Sequence, residues 1–393
     1  MTQYQNRDKE IAIVAIAYNR SLSLKRLLHS LTNAEYFDDC VDLIISIDYS
    51  GTNEVYELAE EFEWKYGNKI IIKHPEKLGL RNHVLFCGNL TNEYKNICVF
   101  EDDIYVSPSF YNFTKQAVKY YENDDEIAGI SLYSHKWNYL ANRPFVHIDT
   151  DSFDVFKMQQ AQSWGQVWSK TKWDLFIAWY NKDKERDLNS DNFPVAISNW
   201  PKSSWLKYHM KYLIETNKYF VYPKLSLTTN FSDIGTHALD ISYCYQVELE
   251  TATSKKYSFP SRDDNQVNYD IYFENQSLSK YLGVDNEQLT IDLYAQKTIS
   301  KKYLLTTKVL NFKILKTFGL HLRPHELNIL HNIPGEDIFL YDTEEEFLNS
   351  QEIKKHNLKL IIYDVKTNSK KSLLKLAVNY YIKALKIKLN RLF

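Results

Sequence analysis

Seven consecutive apolar residues, Ile11 to Ala17 (IAIVAIA), are the first patterned stretch of this sequence. A run apolar at every position predicts a strand covered on both faces, and such strands belong to parallel sheets flanked by helices. The next ninety residues keep to that plan. "SLSLKRLLHSL" carries Leu22, Leu27, Leu28 and Leu31 at helical spacing. "VDLIISIDYS" is a second strand, ending in Asp48 and a Ser50-Gly51 turn. "NEVYELAEEFEWKY" reads as a helix, "KIIIKHP" as a third strand, "RNHVLFCGNLTNEY" as a third helix and "NICVF" as a fourth strand. This β-α-β-α-β-α-β order predicts the α/β class, with a mostly parallel central sheet and helices on both faces. Ligands of such sheets bind beyond the carboxyl ends of the strands.

The fourth strand runs straight into Glu101-Asp102-Asp103. Like charges repel, so their crowding at a strand end calls for a compensating partner. Two other acidic runs, Asp124-Asp125-Glu126 and Glu344-Glu345-Glu346, read as solvated charge. The first run differs in following three β-α units, and Asp48 is expected at the same edge. Carboxylates gathered there suit a hard divalent cation, Mn2+ or Mg2+, which also grips phosphate oxygens. The chain has neither a GxxxxGK[ST] loop nor a GxGxxG turn, so phosphate binding would rest on metal and on Arg or Lys.

The 393 residues, 44% hydrophobic, suffice for one large domain with additions or for two. A net charge of −2 argues against a nucleic-acid protein driven by overall charge. Cysteines 40, 87, 98 and 244 show no CxxC spacing, and the N-terminus is polar without a signal-peptide pattern. Together these lead to an expectation of a cytoplasmic protein with reduced thiols. Further on, "VSPSFYNFTKQAVKYYEND" predicts a helix capped by Ser107 with Pro108 in its first position. Residues 127 to 250 are less regular and rich in Trp. "KYFVYPKLSLTTNFSDIGTH" reads as a strand and a polar loop. "KTISKKYLLTTKVLNFKILKTFGLHLRP" reads as basic and helical. The tail, 366 to 393, holds seven Lys and one Arg and no acid. Leu373, Leu374, Ala377, Tyr381, Leu385 and Leu392 can share a helical face there, the pattern of a peripheral helix on an anionic membrane surface or of an ordinary terminal helix.

"AIAYNRSLSLKRLLHSL", "IISIDYSG", "EKLGLRNHV" and "VFEDDIYVSPSFYNF", in this order, resemble the GT-A-type nucleotide-sugar glycosyltransferases. Within the family-2-like enzymes they are similar to the N-acetylglucosaminyltransferase I type. The likeness is good over residues 11 to 122, patchy to about 240 and absent beyond. It implies a Rossmann-like GT-A sandwich over 1–250, with a nucleotide-binding half (1–125) and an acceptor half (126–250). A mixed, partly helical extension (251–365) and the basic helix (366–393) would follow. It also implies roles. Asp103 would coordinate the metal that bridges the donor diphosphate. Asp102 would bond the donor ribose or sugar, and Glu101 the transferred sugar. Asp48 would sit by the nucleoside, with Arg20 pairing with it or reaching the nucleotide, and Arg81 would lie near the nucleotide or diphosphate. His237, in a loop after the last core strand, would add a metal ligand. Trp164 and Trp205 would line the acceptor side, where sugar C–H faces stack on rings. Each position has a plainer reading: an Asx turn for Asp48, helix-start charges for Arg20 and Arg81, core packing for the tryptophans.

The resemblance breaks at the general base. Related enzymes place an Asp directly after a Trp on the helix before the last core strand, but here "SSWLKYHMKYL" has Leu206 and Lys207. Asp154 and Asp191, and in sequence range Asp151 and Asp174, are the substitutes, and an inverting or retaining outcome stays open. The expected activity is sugar transfer from a nucleoside diphosphate, UDP first, to a saccharide or lipid-linked acceptor in bacterial surface polysaccharide synthesis (capsule or lipopolysaccharide). Two alternatives remain at this level: a sugar nucleotidyltransferase, whose usual Gly-rich phosphate loop is missing, and a non-catalytic module that kept the fold.

Overall fold

The computed structural model describes residues 10–393 apart from 191, 234–243, 262–263, 265–266, 299–300, 350–352, 366–368 and 390–393. The chain forms two packed units. One comprises Met1–Asn286 with Tyr294–Ser300, the other Glu287–Leu293 with Lys301–Phe393.

In the first unit the expected alternation is present as β1 (Ile11–Ala17), α1 (Ser21–Thr32), β2 (Leu43–Ile47), α2 (Glu54–Glu61), β3 (Lys69–Lys73), α3 (Gly79–Gly88) and β4 (Asn96–Glu101). All of β1 and β2 is buried, whereas β3, on the sheet edge, is half-exposed. Next come β5 (Ile104–Val106), α4 (Phe110–Tyr120), β6 (Ile127–Ser131), the short pair β7 (Trp137–Asn138) and β8 (Arg143–Pro144), β9 (Val155–Met158) and β10 (Gln166–Ser169). Then follow α5 (Lys170–Lys182), α6 (Val195–Ser198), α7 (Leu206–Glu215), β11 (Tyr219–Pro223), β12 (Thr228–Asn230), β13 (Asn268–Tyr269) and α8 (Ser279–Leu282).

Nine strands make the central sheet in the order β13-β9-β11-β6-β10-β4-β1-β2-β3. β3, β2, β1, β4, β6 and β11 run one way, and β10, β9 and β13 run against them. β13 carries residues 268–269 into this sheet, so part of the stretch beyond residue 250 packs with the domain core. Ile13, Ala15 and Ala17 of β1 pack against Leu24, Leu27, Leu28 and Leu31 of α1, and Phe110, Phe113 and Ala117 of α4 join the same core. That burial drives the layering, at about 1.5–3 kcal/mol for each large side chain. α4 starts at Phe110, later than expected. Ser107 does not cap it; its hydroxyl accepts the Ser109 N–H at 3.0 Å and donates to the Glu250 carbonyl.

The second unit holds β14 (Leu289–Asp292), β15 (Tyr303–Thr306), β16 (Phe312–Phe318), α9 (Glu326–Leu330), β17 (Ile338–Glu346), α10 (Ile353–Val365) and α11 (Lys370–Leu389). Its sheet runs β14-β15-β17-β16. The stretch expected to be helical, 297–324, therefore contributes two strands. The physical reason is the β17 partner: both β15 and β16 pair antiparallel with it, and Phe312 and Ile314 alternate with exposed Lys313 and Leu315. Among the described residues no helix is long and apolar enough to cross a membrane.

Candidate active site

The site grows from the carboxyl ends of three neighbouring strands. β1 lies between β2 and β4, and its last residues pair with Ile47 on one side and Glu101 on the other. The chain leaves β2 at Asp48, whose N–H bonds to the Ala17 carbonyl at 3.0 Å. Asp48 and the Glu101-Asp102-Asp103 turn thus flank one strand end and share one mouth. Beyond the turn, β5 pairs antiparallel with β12, setting Ile104 opposite Asn230. Asn230 Nδ2 then donates to Asp103 Oδ1 at 3.3 Å, and the Phe231 N–H bonds to the Asp103 carbonyl at 3.0 Å. A cavity of about 530 Å3 opens here, walled by Asp48, Glu101, Asp102, Asp103, Trp164 and Tyr245 among others.

Asp48 is held firmly. Its Oδ1 accepts the N–H groups of Tyr49 (2.9 Å) and Leu78 (2.7 Å), and its Oδ2 accepts that of Gly79 (3.0 Å). The carboxylate staples the end of β2 to the start of α3 and keeps one acceptor position on Oδ2. Gly79 meets this bond with φ +73°, in the left-handed region that favours glycine.

Arg20, just before α1, is the cation of the cluster. It donates to both oxygens of Asp102 (Nε to Oδ2 at 3.2 Å, and Nη2 to Oδ1), to Asp103 Oδ2 at 3.2 Å and to the Asp233 carbonyl at 3.3 Å. It makes no pair with Asp48, which takes the backbone amides of Tyr49, Leu78 and Gly79 instead. Burial alone would lower the Arg20 pKa, but Asp102 and Asp103 outweigh it and raise it. The acids remain short of positive charge. Burial pushes Glu101 up to about 8, with repulsion from Asp103 and Asp102 adding to it. Burial lifts Asp102 to about 6 and raises Asp103, although Arg20 pulls both down. A deficit of cationic charge among oxygen donors fits a hard divalent cation. Among the described residues, however, no three His, Cys, Asp or Glu side chains converge into a complete ligand set.

The other expected residues fall into three groups. Trp164 lies in the cavity wall, half-buried, with Tyr245 at 4.6 Å and Tyr133 at 4.9 Å between ring centres. Its neighbour Gly165 has φ +95° and brings the turn against Thr228. Trp205, expected on the acceptor side, is instead buried at 2% exposure and packs on Trp168 and His209, which leaves no ring face for a sugar. Arg81 lies with its guanidinium over the Tyr208 ring and 3.8 Å from Glu185, not in the cavity wall. Asp154 is taken up by the Ser258 N–H and Lys255, Asp151 by Lys224, and Asp174 by Lys170 on the exposed face of α5. None of the three lines the cavity. His237 and Asp191 lie outside the described residues.

Sequence reasoning missed His83, Asn230, Ser232, Asp233 and Tyr245, all of which line the cavity. Only His83 left a local signal, one helical turn beyond Gly79. Asn230, Ser232 and Asp233 arrive through the β5–β12 pairing, which joins positions more than 120 residues apart, and Tyr245 lies against Trp164.

Residues 12–172 match the model of glycosyl transferase family 2. Among solved structures, S. aureus TarS 1-349 in complex with UDP is similar at 10% identity and a TM-score of 0.36, covering 56% of this chain and 59% of that one. GalNAc-T7 with UDP, GalNAc and Mn2+ is similar at 10% identity and 0.39, covering 56% and 43%. The mannosyltransferase PcManGT from Pyrobaculum calidifontis, in complex with GDP-Man and Mn2+, is similar at 11% identity and 0.29, covering 42% and 46%. The chain spans less than two thirds of the length of each. No curated protein matches the sequence. The match takes in the strands that build the acidic mouth and runs on through β10.

Proposed function

We propose that this protein is a metal-dependent glycosyltransferase that moves a sugar from a nucleoside diphosphate, UDP in the first instance, to a saccharide or lipid-linked saccharide acceptor. One observation carries the reading. Asp48 and Glu101-Asp102-Asp103 flank the end of β1 in one cavity, within the residues that match glycosyl transferase family 2. Asp103 would hold Mn2+ or Mg2+, which when bound neutralises the departing diphosphate. Asp102 and Glu101 would orient the donor's sugar or ribose, and Asp48 would hold the nucleoside. Trp164 and Tyr245 offer ring faces to a sugar. Transfer breaks the bond from the anomeric carbon to the diphosphate oxygen and joins that carbon to an acceptor hydroxyl oxygen. The hydroxyl proton passes to a base. The cavity's contribution is to fix donor and acceptor and to hold charge in place.

The test is release of UDP from a panel of UDP-sugars with Mn2+ and a saccharide acceptor, alongside Asp103→Ala. Turnover abolished in the variant supports the reading. Absence of both turnover and metal-dependent nucleotide binding with every nucleotide sugar would sink it.

The tail supports a peripheral membrane site for the reaction. In α11 the exposed Leu374, Val378, Tyr381 and Leu385 recur at i, i+4, i+7 and i+11, one helical face, on a segment with six Lys and no acid. Vesicles with and without anionic lipid, spun down with the full chain or a chain ending at residue 365, decide this. Equal sedimentation of the two chains removes the membrane assignment.

A further inference from the structure

The Trp164 ring stands in the cavity wall on a turn whose backbone is clamped from both sides. Its N–H and that of Ser163 donate to Oε1 of Gln162, at 3.2 and 2.8 Å. Its carbonyl accepts the Thr228 hydroxyl at 2.6 Å. Gln162 and Thr228 are 4% and 0% exposed. Thr228 lies on β12 two residues before Asn230, which donates to Asp103, and residues two apart on a strand point to one face. The spacing of the ring from the acids is thereby set through β12 on one side and through Gln162 on the other.

Gln162 is itself fixed by His135, which is 3% exposed. Two backbone N–H groups require an acceptor, so the amide oxygen of Gln162 belongs to them. Its N–H2 then turns to Nε2 of His135, 3.1 Å away. His135 must present that nitrogen bare and carry its proton on Nδ1. Burial lowers His135 to about 3, so the ring stays neutral. The titratable side chains packed on it are Tyr133, Tyr139 and Tyr222, with Trp164 and Phe273 beside them. Burial raises all three phenols, which therefore stay uncharged. An amide between a bare imidazole nitrogen and two N–H groups has one satisfied orientation. Flipped, it would set donors against donors and an acceptor against an acceptor.

We propose that Gln162, locked by His135, is a positioning residue for the acceptor, holding the Trp164 ring at the height over Asp103 where an acceptor sugar stacks. The inference rests on the sugar-transfer reading above. A neutral amide suits the task because it donates to the imidazole while accepting from the turn. A carboxylate of the same length does so only with an added proton.

The experiment uses the full chain, Mn2+ and the pair of UDP-sugar and methyl glycoside that turns over fastest in a panel. Gln162→Leu leaves the two buried N–H groups unmet and should raise acceptor KM about tenfold. Gln162→Glu keeps both amide bonds but sets an oxygen against the bare His135 nitrogen. One proton bridges that pair at low pH and is lost as pH rises. The ratio of this variant's acceptor KM to that of wild type should lie within about twofold at pH 6 and climb about tenfold by pH 9. The Trp164 indole 1H–15N signal, identified by its loss in Trp164→Phe, supplies a readout that needs no turnover. In Gln162→Glu it should shift with the same midpoint as the KM ratio. Should Gln162→Leu fail to fold, Gln162→Glu and this signal decide. A wild-type acceptor KM in Gln162→Leu, or a flat KM ratio for Gln162→Glu, overturns the inference and leaves the transferase reading standing. Absence of turnover with every pair overturns both.

Discussion

Replacing Arg20 with Met would remove the only side-chain cation bonded to Asp102 and Asp103 among the described residues while keeping a side chain of similar length. Asp102 and Asp103 are 4% and 8% exposed. Stripping one partner from a buried pair costs about 3–5 kcal/mol. Arg20 is about a quarter exposed and the cavity admits water, so about 2–3 kcal/mol is the expected loss near pH 8. The loss must depend on pH. The three acids have folded-state pKa values above their unfolded ones, about 8 for Glu101 and about 6 for Asp102. The folded state therefore holds protons that the unfolded state releases, and these groups cost stability as pH rises from about 4 through those values. Removing Arg20 raises Asp102 and Asp103 further and widens the range of that cost. At pH 5 the variant's acids are protonated and the gap to wild type should shrink to under about 1 kcal/mol. All eight Trp lie between residues 64 and 205, so tryptophan fluorescence during urea unfolding reports the first unit alone. Adding Mn2+ should stabilise Arg20→Met more than wild type, because the ion takes the place of the lost cation. A variant equally destabilised at pH 5 and pH 8, or stabilised by Mn2+ no more than wild type, would refute the reasoning.

Three further outcomes follow from other parts of the first unit. His209 is buried with neither ring nitrogen hydrogen-bonded, lying flat on Phe176 at 4.1 Å, and burial drops its pKa to about 3. His209→Phe should stabilise the unit by about 1 kcal/mol at pH 7 and by more at pH 5, where the unfolded histidine is protonated and the native one is not; a loss of stability in urea unfolding would contradict this. Gly165→Ala would set a Cβ 2.7 Å from Thr228 Cγ2 at a φ of +95°. It should cost about 2 kcal/mol and quench metal-dependent nucleotide binding by displacing Trp164; a wild-type unfolding midpoint would show the turn to be pliable. Asp154→Asn should keep kcat/KM within about twofold of wild type, since its carboxylate is tied to Lys255 and the Ser258 N–H outside the cavity. A loss of a hundredfold or more would return Asp154 to the catalytic machinery.

The local pattern was enough for β1 to β4 and for the shared acidic mouth. Strands buried on both faces write themselves as unbroken apolar runs, and a carboxylate directly after such a run must lie at a strand end. It also isolated Glu101-Asp102-Asp103 from two other acidic runs by position alone. What the runs cannot encode is which distant segments meet. Arg20 reaches Asp102 across 82 positions, and Asn230 reaches Asp103 across 127. A guanidinium before a helix gives no sign whether it will turn to Asp48, to the turn after β4 or to solvent; the fold sets it against Asp102 and Asp103. The same limit explains Trp205, which has the sequence context of a sugar platform but sits where α7 meets the aromatic core. It explains β15 and β16 too, whose lysine-rich stretches look helical until β17 supplies the partner. Periodicity and strand-end chemistry are local properties, and they determined the sheet's parallel half and the acids at its rim. Cavity walls, counter-ions and the rings that face them depend on long-range pairing, whose energy comes from burial between segments, and these only the tertiary structure decided.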